Sequence, residues 1–306
     1  MSGHDHDHGA EAQNQRGRLV AVLALTSTVL IVEVIGAVLT GSLALLADAG
    51  HMLTDVAGLI MALITASLVL RPPSPRRTWG WRRAEILGAT AQSALLLAVG
   101  GYVLVEGVRR LFEPPQIAST ALLVFGAVGL LANIAGLIIL TARRHDNLNM
   151  RAAFLEVLND ALGSVAVIVA AIVISTTGWA AADAVASIII AVLILPRAYR
   201  LLRETVEILL ESTPRGLDLD AVREHLLRQP HVRAVHDLHA SQIATGLPVL
   251  TAHVVLDDNC FTDGHSAQIL RDLQDCVATH FPVSVEHSTF QLEPADHTDP
   301  VGTPHA

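Results

Sequence analysis

The chain has 306 residues, of which 52% are hydrophobic and 16% charged, with a formal charge of −9 and a mean hydropathy of +0.49. Soluble domains carry about 25% charged residues, so an ordinary water-soluble enzyme is excluded, and the net negative charge speaks against nucleic acid as a partner. Two cysteines, Cys260 and Cys276, rule out a disulfide framework and a cysteine-built zinc module.

The N-terminal segment 1–15 contains His4-Asp5-His6-Asp7-His8 and is expected to be a disordered tail, either metal-gathering or dispensable. Residues 16–203 then hold six apolar stretches near Leu19–Leu39, Leu43–Leu70, Ala84–Val108, Ile117–Leu140, Phe154–Ser175 and Trp179–Leu195. Each approaches or exceeds the ~20 helical residues that cross a hydrocarbon core. The first is too long for a cleavable signal and lacks a small-residue cleavage pattern. Arginines crowd the connections between spans two and three (Arg71, Arg76, Arg77, Arg82, Arg83) and between four and five (Arg143, Arg144, Arg151). Arg197, Arg200 and Arg203 follow span six, whereas Thr40–Ser42 and Thr176–Gly178 carry no arginine. The arginine rule therefore places both termini in the cytoplasm, with Arg109 and Arg110 alone on the disfavoured side.

Residues 204–293 read as a compact cytoplasmic α+β unit. Asp218 can cap a helix over Leu219–Gln229, and Pro230 ends it. Alternating runs His231–Ile243 and Pro248–Asp257 flank Thr245-Gly246-Leu247 as a hairpin. A second helix fits Thr262–Phe281 and a last strand Val283–Leu292, giving the order α-β-β-α-β. Residues 294–306 read as a second mobile tail.

Ionisable groups at membrane depth carry the functional signal, because each costs about 2.5–3.5 kcal/mol at a helix centre on insertion scales. Span two contains Asp48, His51 and Asp55; span five contains Glu156 and Asp160. His51 and Asp55, like Glu156 and Asp160, are four residues apart and share a helix face. A lone carboxylate near a span end commonly snorkels to water, and a lone imidazole is often structural. Two such pairs on separate spans, with few other charges to partner them, are better explained by convergence on a divalent cation such as Zn²⁺. Glu33, Glu106, Asn133 and Asp183, singly placed, read as supporting or helix-contact residues, and Gly36, Gly58, Gly100, Gly101, Gly129 and Gly136 as packing positions. Cys260 and Cys276 lack ligand spacing and read as buried structural thiols.

Ala47-Asp-Ala-Gly-His-Met-Leu-Thr-Asp55 and Ala153-Phe-Leu-Glu-Val-Leu-Asn-Asp-Ala-Leu-Gly-Ser164 resemble the motifs of the cation diffusion facilitator family. These proteins are proton-coupled exporters of zinc and related divalent metals, and the resemblance spans nearly the whole chain. It implies a six-transmembrane-helix bundle followed by a ferredoxin- or metallochaperone-like cytoplasmic domain, a homodimer and no enzymatic activity. It also implies residence in a bacterial cell membrane. The family pattern H-x-x-x-D in both spans maps the transport site onto His51, Asp55, position 156 and Asp160. Glu156 stands where the zinc branch has His, which adds a hard oxygen donor and widens the expected range to Cd²⁺, Co²⁺, Fe²⁺ or Mn²⁺. The resemblance further implies a regulatory zinc site on the cytoplasmic unit at His236, His253, His265 and His287, with solvated surface histidines as the competing reading. No resident cofactor beyond metal is expected.

All four transport-site groups bind metal only when deprotonated, so metal and protons compete for one site. Alternating exposure of such a site yields metal–proton exchange without nucleotide, and no G-x-x-x-x-G-K-[ST] loop is present. An intramembrane protease would need H-E-x-x-H or G-x-S-x-G, and neither occurs. A metal-gated channel or membrane metal sensor stays as the rival reading.

Overall fold

The computed structural model describes residues 7–69, 72–141 and 148–296. Within its helices, the side chains at 7–22, 25, 59, 62, 63, 65–67, 69, 139, 140, 148–153, 155 and 156 fall outside the description. So do His4, Asp5, His6, Arg71, Arg143 and Arg144, together with the tail beyond 296 and the side chains of Asp7, His8 and Glu156.

Six long helices come first: α1 (Asp7–Thr40), α2 (Leu43–Val69), α3 (Arg83–Phe112), α4 (Ser119–Thr141), α5 (Leu148–Thr177) and α6 (Ala181–Leu209). α1 starts inside the segment expected to be a tail, since Ala10-Glu-Ala-Gln-Asn-Gln15 is rich in good helix formers. Among the described residues, 83–112, 119–138, 157–177 and 181–209 are long and apolar enough to cross a membrane. The described apolar part of α1, Thr26–Thr40, is shorter. Val38, Val105, Ile138 and Leu193 are exposed on the outer faces of their helices, which suits a lipid-facing surface.

The two tight connections follow from glycine. Gly41 (φ +70°) and Gly178 (φ +74°) adopt the left-handed conformation that ends a helix. Their N–H groups return to the carbonyls of Ala37 and Ile174. Arg110 is held by Glu106 (2.9 Å) and by the Gly41 carbonyl (2.7 Å), so this arginine closes the end of α1. Asp183, in the first turn of α6, accepts from the Ser42 hydroxyl and from the backbone N–H of Leu43 (2.7 Å) and Ala44 (3.3 Å). A carboxylate from one helix thereby caps the N-terminus of another.

Small residues let the helices approach. Gly36 of α1 packs beneath Phe125 of α4, Gly50 of α2 beneath Val99 of α3, and Gly126 of α4 beneath Ile168 of α5. One buried apolar cluster joins Ala37, Leu43–Leu45, Val103, Leu122, Val167, Ala171, Ala186 and Ile190. A second, with Val29, Leu30, Ala49, Met52 and Val56, seals α1 against α2.

The chain divides into two compact units, one of residues up to 64 with 88–202, the other of residues 65–87 with 203 onward. In the second, α7 (Leu219–Leu227) begins at Asp218, whose carboxylate accepts from the N–H groups of Asp220 and Ala221. β1 (Val232–Ala244) pairs antiparallel with β2 (Leu247–Leu256), which pairs parallel with β3 (His287–Glu293), giving the order β1-β2-β3. A 3₁₀ turn (Asp258–Phe261) and Gly264 (φ +85°) delay α8 to Ser266–Thr279, four residues later than expected. β3 likewise starts at His287 rather than at 283. Val222, Leu226, Leu250, Val254, Leu256, Leu273, Val277 and Phe290 fill the core, so α7 and α8 cover one sheet face. Residues 72–87 belong to this unit: the Trp79 ring meets His287 edge-on at 5.2 Å, and Arg83 pairs with Glu211 at 2.8 Å.

Candidate metal site between two membrane helices

His51 and Asp55 lie one turn apart on α2, and Asp160 projects from α5. His51 Nε2 is 3.3 Å from Asp160 Oδ1 and 3.8 Å from Asp55 Oδ2. One ligand atom from each of the three lies within 4.8 Å of the others. His51 is 7% exposed and Asp160 8%. An imidazole and two carboxylates in this arrangement could supply three of the four ligands that a borderline divalent ion takes. The backbone puts Glu156 one turn before Asp160 on α5, but its side chain is outside the described residues.

The approach of α2 to α5 depends on Gly163. A Cβ at that position would lie 2.8 Å from Asp48 Oδ1. Asp48 is buried, and its Oδ2 accepts from the Ser164 hydroxyl (3.4 Å), which in turn accepts from the Asn133 amide (3.3 Å). Glu33 of α1 is 1% exposed, and neither of its carboxylate oxygens meets a hydrogen-bond partner among the described residues. A Cβ on Gly129 would sit 2.9 Å from Glu33 Oε1 and 3.3 Å from Ser164 Oγ. The bundle interior thus holds three buried carboxylates, Glu33, Asp48 and Asp160, together with one buried imidazole, His51, which half-buried Asp55 also approaches. Such a group is tolerable only with bound cations or protons. Asp48 stands three residues before His51, a spacing that shares a helix face, whereas the contributions of Glu33, Asn133 and Ser164 come from the packing between helices.

The cytoplasmic unit brings together two of its four expected residues. His236 and His253 are opposite each other on β1 and β2, on the sheet face that α7 and α8 leave open. Their partner is Glu293 of β3, at 3.0 Å from His236 Nε2 and 2.7 Å from His253 Nδ1. Asp237, at a bulge with φ +50°, comes within 4.0 Å of His253 Nε2. Glu293 was missed because it stands at a strand end beside Pro294, where a carboxylate reads as solvated. His265 instead pairs with Asp263 at 2.8 Å and stacks near His231, and its imidazole holds the Asp263 carboxyl below the usual range. His287 packs against Trp79. Both cysteines are buried and unbridged.

Comparison with known proteins accounts for both units. Residues 19–210 match the cation efflux transmembrane domain, and residues 214–295 match the cation efflux protein cytoplasmic domain. The chain is 40% identical over 298 residues to the metal cation efflux system protein CzcD of Cupriavidus metallidurans, covering 97% of this chain and 92% of that one. It is 38% identical over 295 residues to the zinc transporter ZitB of Escherichia coli (95% and 92%). Identity to the cadmium, cobalt and zinc/H(+)-K(+) antiporter of Bacillus subtilis is 37% over 297 residues (96% and 93%). With apolar helices of membrane-crossing length, an acid–imidazole cluster and matches to both domains over most of its length, the chain belongs to the cation efflux, or cation diffusion facilitator, family of integral membrane transporters and is not an enzyme.

Proposed function

We propose that this protein exports a divalent transition-metal ion, zinc foremost, from the cytoplasm in exchange for protons, using His51, Asp55, Glu156 and Asp160 as the alternately exposed site. The observation that carries this reading is the convergence of His51, Asp55 and Asp160 from two helices within 4.8 Å. Relatives named as a zinc transporter and as a cadmium, cobalt and zinc/H(+)-K(+) antiporter support both the cargo and the coupling. Cytoplasmic metal displaces protons from the imidazole and carboxylates; a more acidic far side reprotonates them and releases the ion. Both termini lie in the cytoplasm of a bacterial cell, and the cytoplasmic domain joins two copies. His236, His253 and Glu293 bind a regulatory ion on that domain, a donor set that suits zinc.

Purified protein in sealed vesicles should accumulate zinc against its gradient when a proton gradient is imposed. Asp160→Asn should abolish that uptake while the protein still inserts. Metal that only runs down its own gradient would mark a channel, and metal binding without flux a sensor. Lowering the pH on the loading side should weaken apparent zinc affinity, up to about tenfold per unit for each proton displaced.

A further inference from the structure

The helical side of the cytoplasmic unit carries a second cluster of ligand type. His225 lies in the last turn of α7, Cys276 on α8, and His280 at the end of α8, one turn beyond the cysteine. One ligand atom from each lies within 4.8 Å of the others. We propose that His225, Cys276 and His280 form a metal-binding centre for a borderline-soft divalent ion of the Zn²⁺, Cd²⁺ or Co²⁺ class, clipping the end of α7 to the end of α8.

Three features favour the centre over a chance meeting of a core thiol and two surface rings. The His280 Nδ1 lies 3.2 Å from the Cys276 carbonyl, which can only accept, so the hydrogen of that bond sits on Nδ1. Nε2 therefore keeps its lone pair, the arrangement found when a ligating histidine is oriented by a backbone carbonyl. The His225 and His280 rings are 5.0 Å apart and tilted by 32°, with Phe281 edge-on to His225 at 5.5 Å, so both imidazoles are held beside the sulfur. Bonds of ~2.3 Å to sulfur and ~2.0 Å to nitrogen put tetrahedral ligand atoms roughly 3.3–3.6 Å apart. The present spread, within 4.8 Å, must contract by up to about 1.5 Å to reach that value.

The donor set differs from the other metal clusters in containing sulfur, which favours Zn²⁺ and Cd²⁺ over hard ions. Three protein ligands leave one position for water. α7 has nine residues, too few to be stable without tertiary support, and its exit through 228–231 leads directly into β1. An ion at this point fixes the end of that helix.

Cobalt provides a specific probe, since a thiolate–Co²⁺ bond gives an ultraviolet charge-transfer band that carboxylate and imidazole ligands do not. The membrane cluster and the His236–His253–Glu293 cluster contain no sulfur, and the chain has only one other cysteine. Full-length protein titrated with Co²⁺ should develop the band, Cys260→Ser should keep it, Cys276→Ser should lose it, and added Zn²⁺ should bleach it. His280→Gln, on an exposed side chain, should raise the cobalt concentration for half-formation by about tenfold or more, at least the cost of removing a residue that merely orients a ligand. A band absent at saturating cobalt, a band intact in Cys276→Ser, or an unchanged titration in His280→Gln would overturn the centre.

Discussion

Gly163 sets how closely α2 and α5 can come at the metal cluster. A methyl there falls 2.8 Å from Oδ1 of buried Asp48, the carboxylate whose other oxygen accepts from Ser164. Gly163→Ala should therefore push α2 away from α5, separating His51 from Asp160. Misplacement of this kind costs on the order of tenfold to hundredfold. Isothermal zinc titration would register it, and an affinity unchanged by the methyl would show that the approach is slack. Position 156 is the other informative single residue. Glu156→His exchanges a charged oxygen donor for a neutral nitrogen and should narrow the transported range towards zinc. A Cd²⁺ to Zn²⁺ uptake ratio equal to that of the parent would show that this position does not select.

At the scale of elements, the anchor between α6 and α2 is the feature with the clearest energetic consequence. Asp183 takes hydrogen bonds from one hydroxyl and two backbone amides at the start of α2. Asp183→Asn replaces an accepting oxygen by a donating NH₂ and leaves a buried donor facing a donor, at a cost of about 1–3 kcal/mol. Thermal melting in detergent should show a lowered midpoint; an unshifted one would make the anchor ornamental. Elements of this kind explain what could be read beforehand. Long apolar runs marked the membrane helices, and Asp218, Pro230 and Gly246 marked the cap, stop and hairpin of the cytoplasmic unit, because those signals are local. Spacing within one helix also put His51 with Asp55. What spacing cannot give is which faces meet across the fold. The bulge at Asp237, the late start of α8 and the position of β3 decide that Glu293 joins His236 and His253 while His265 turns to Asp263. Glu33 was likewise legible as an intramembrane acid, but its burial beside Gly129 and Ser164 arises only from the packing of α1, α4 and α5.

Across the whole molecule, charge ties the pieces together. The membrane unit buries three carboxylates, Glu33, Asp48 and Asp160, with half-buried Asp55 beside His51, and a divalent ion neutralises two of those charges. The remaining demand for positive charge gives protons a reason to enter when the metal leaves, which is the physical basis proposed for exchange. The cytoplasmic unit adds a cluster of ligand-type groups on each side of a three-stranded sheet: His236, His253 and Glu293 on the open side, His225, Cys276 and His280 on the helical side. On the proposed reading, these groups would let a protein that moves metal respond to the metal concentration it controls.

The most direct measurement compares zinc binding and vesicle uptake in Asp55→Asn, Asp160→Asn and the double variant. If α2 and α5 build one site, each single change removes transport, and the double is no worse than either, because residues acting as a unit are strongly non-additive. Uptake that survives in one single variant and is lost only in the double would mean that the two helices serve separate ions, and the shared site would fall.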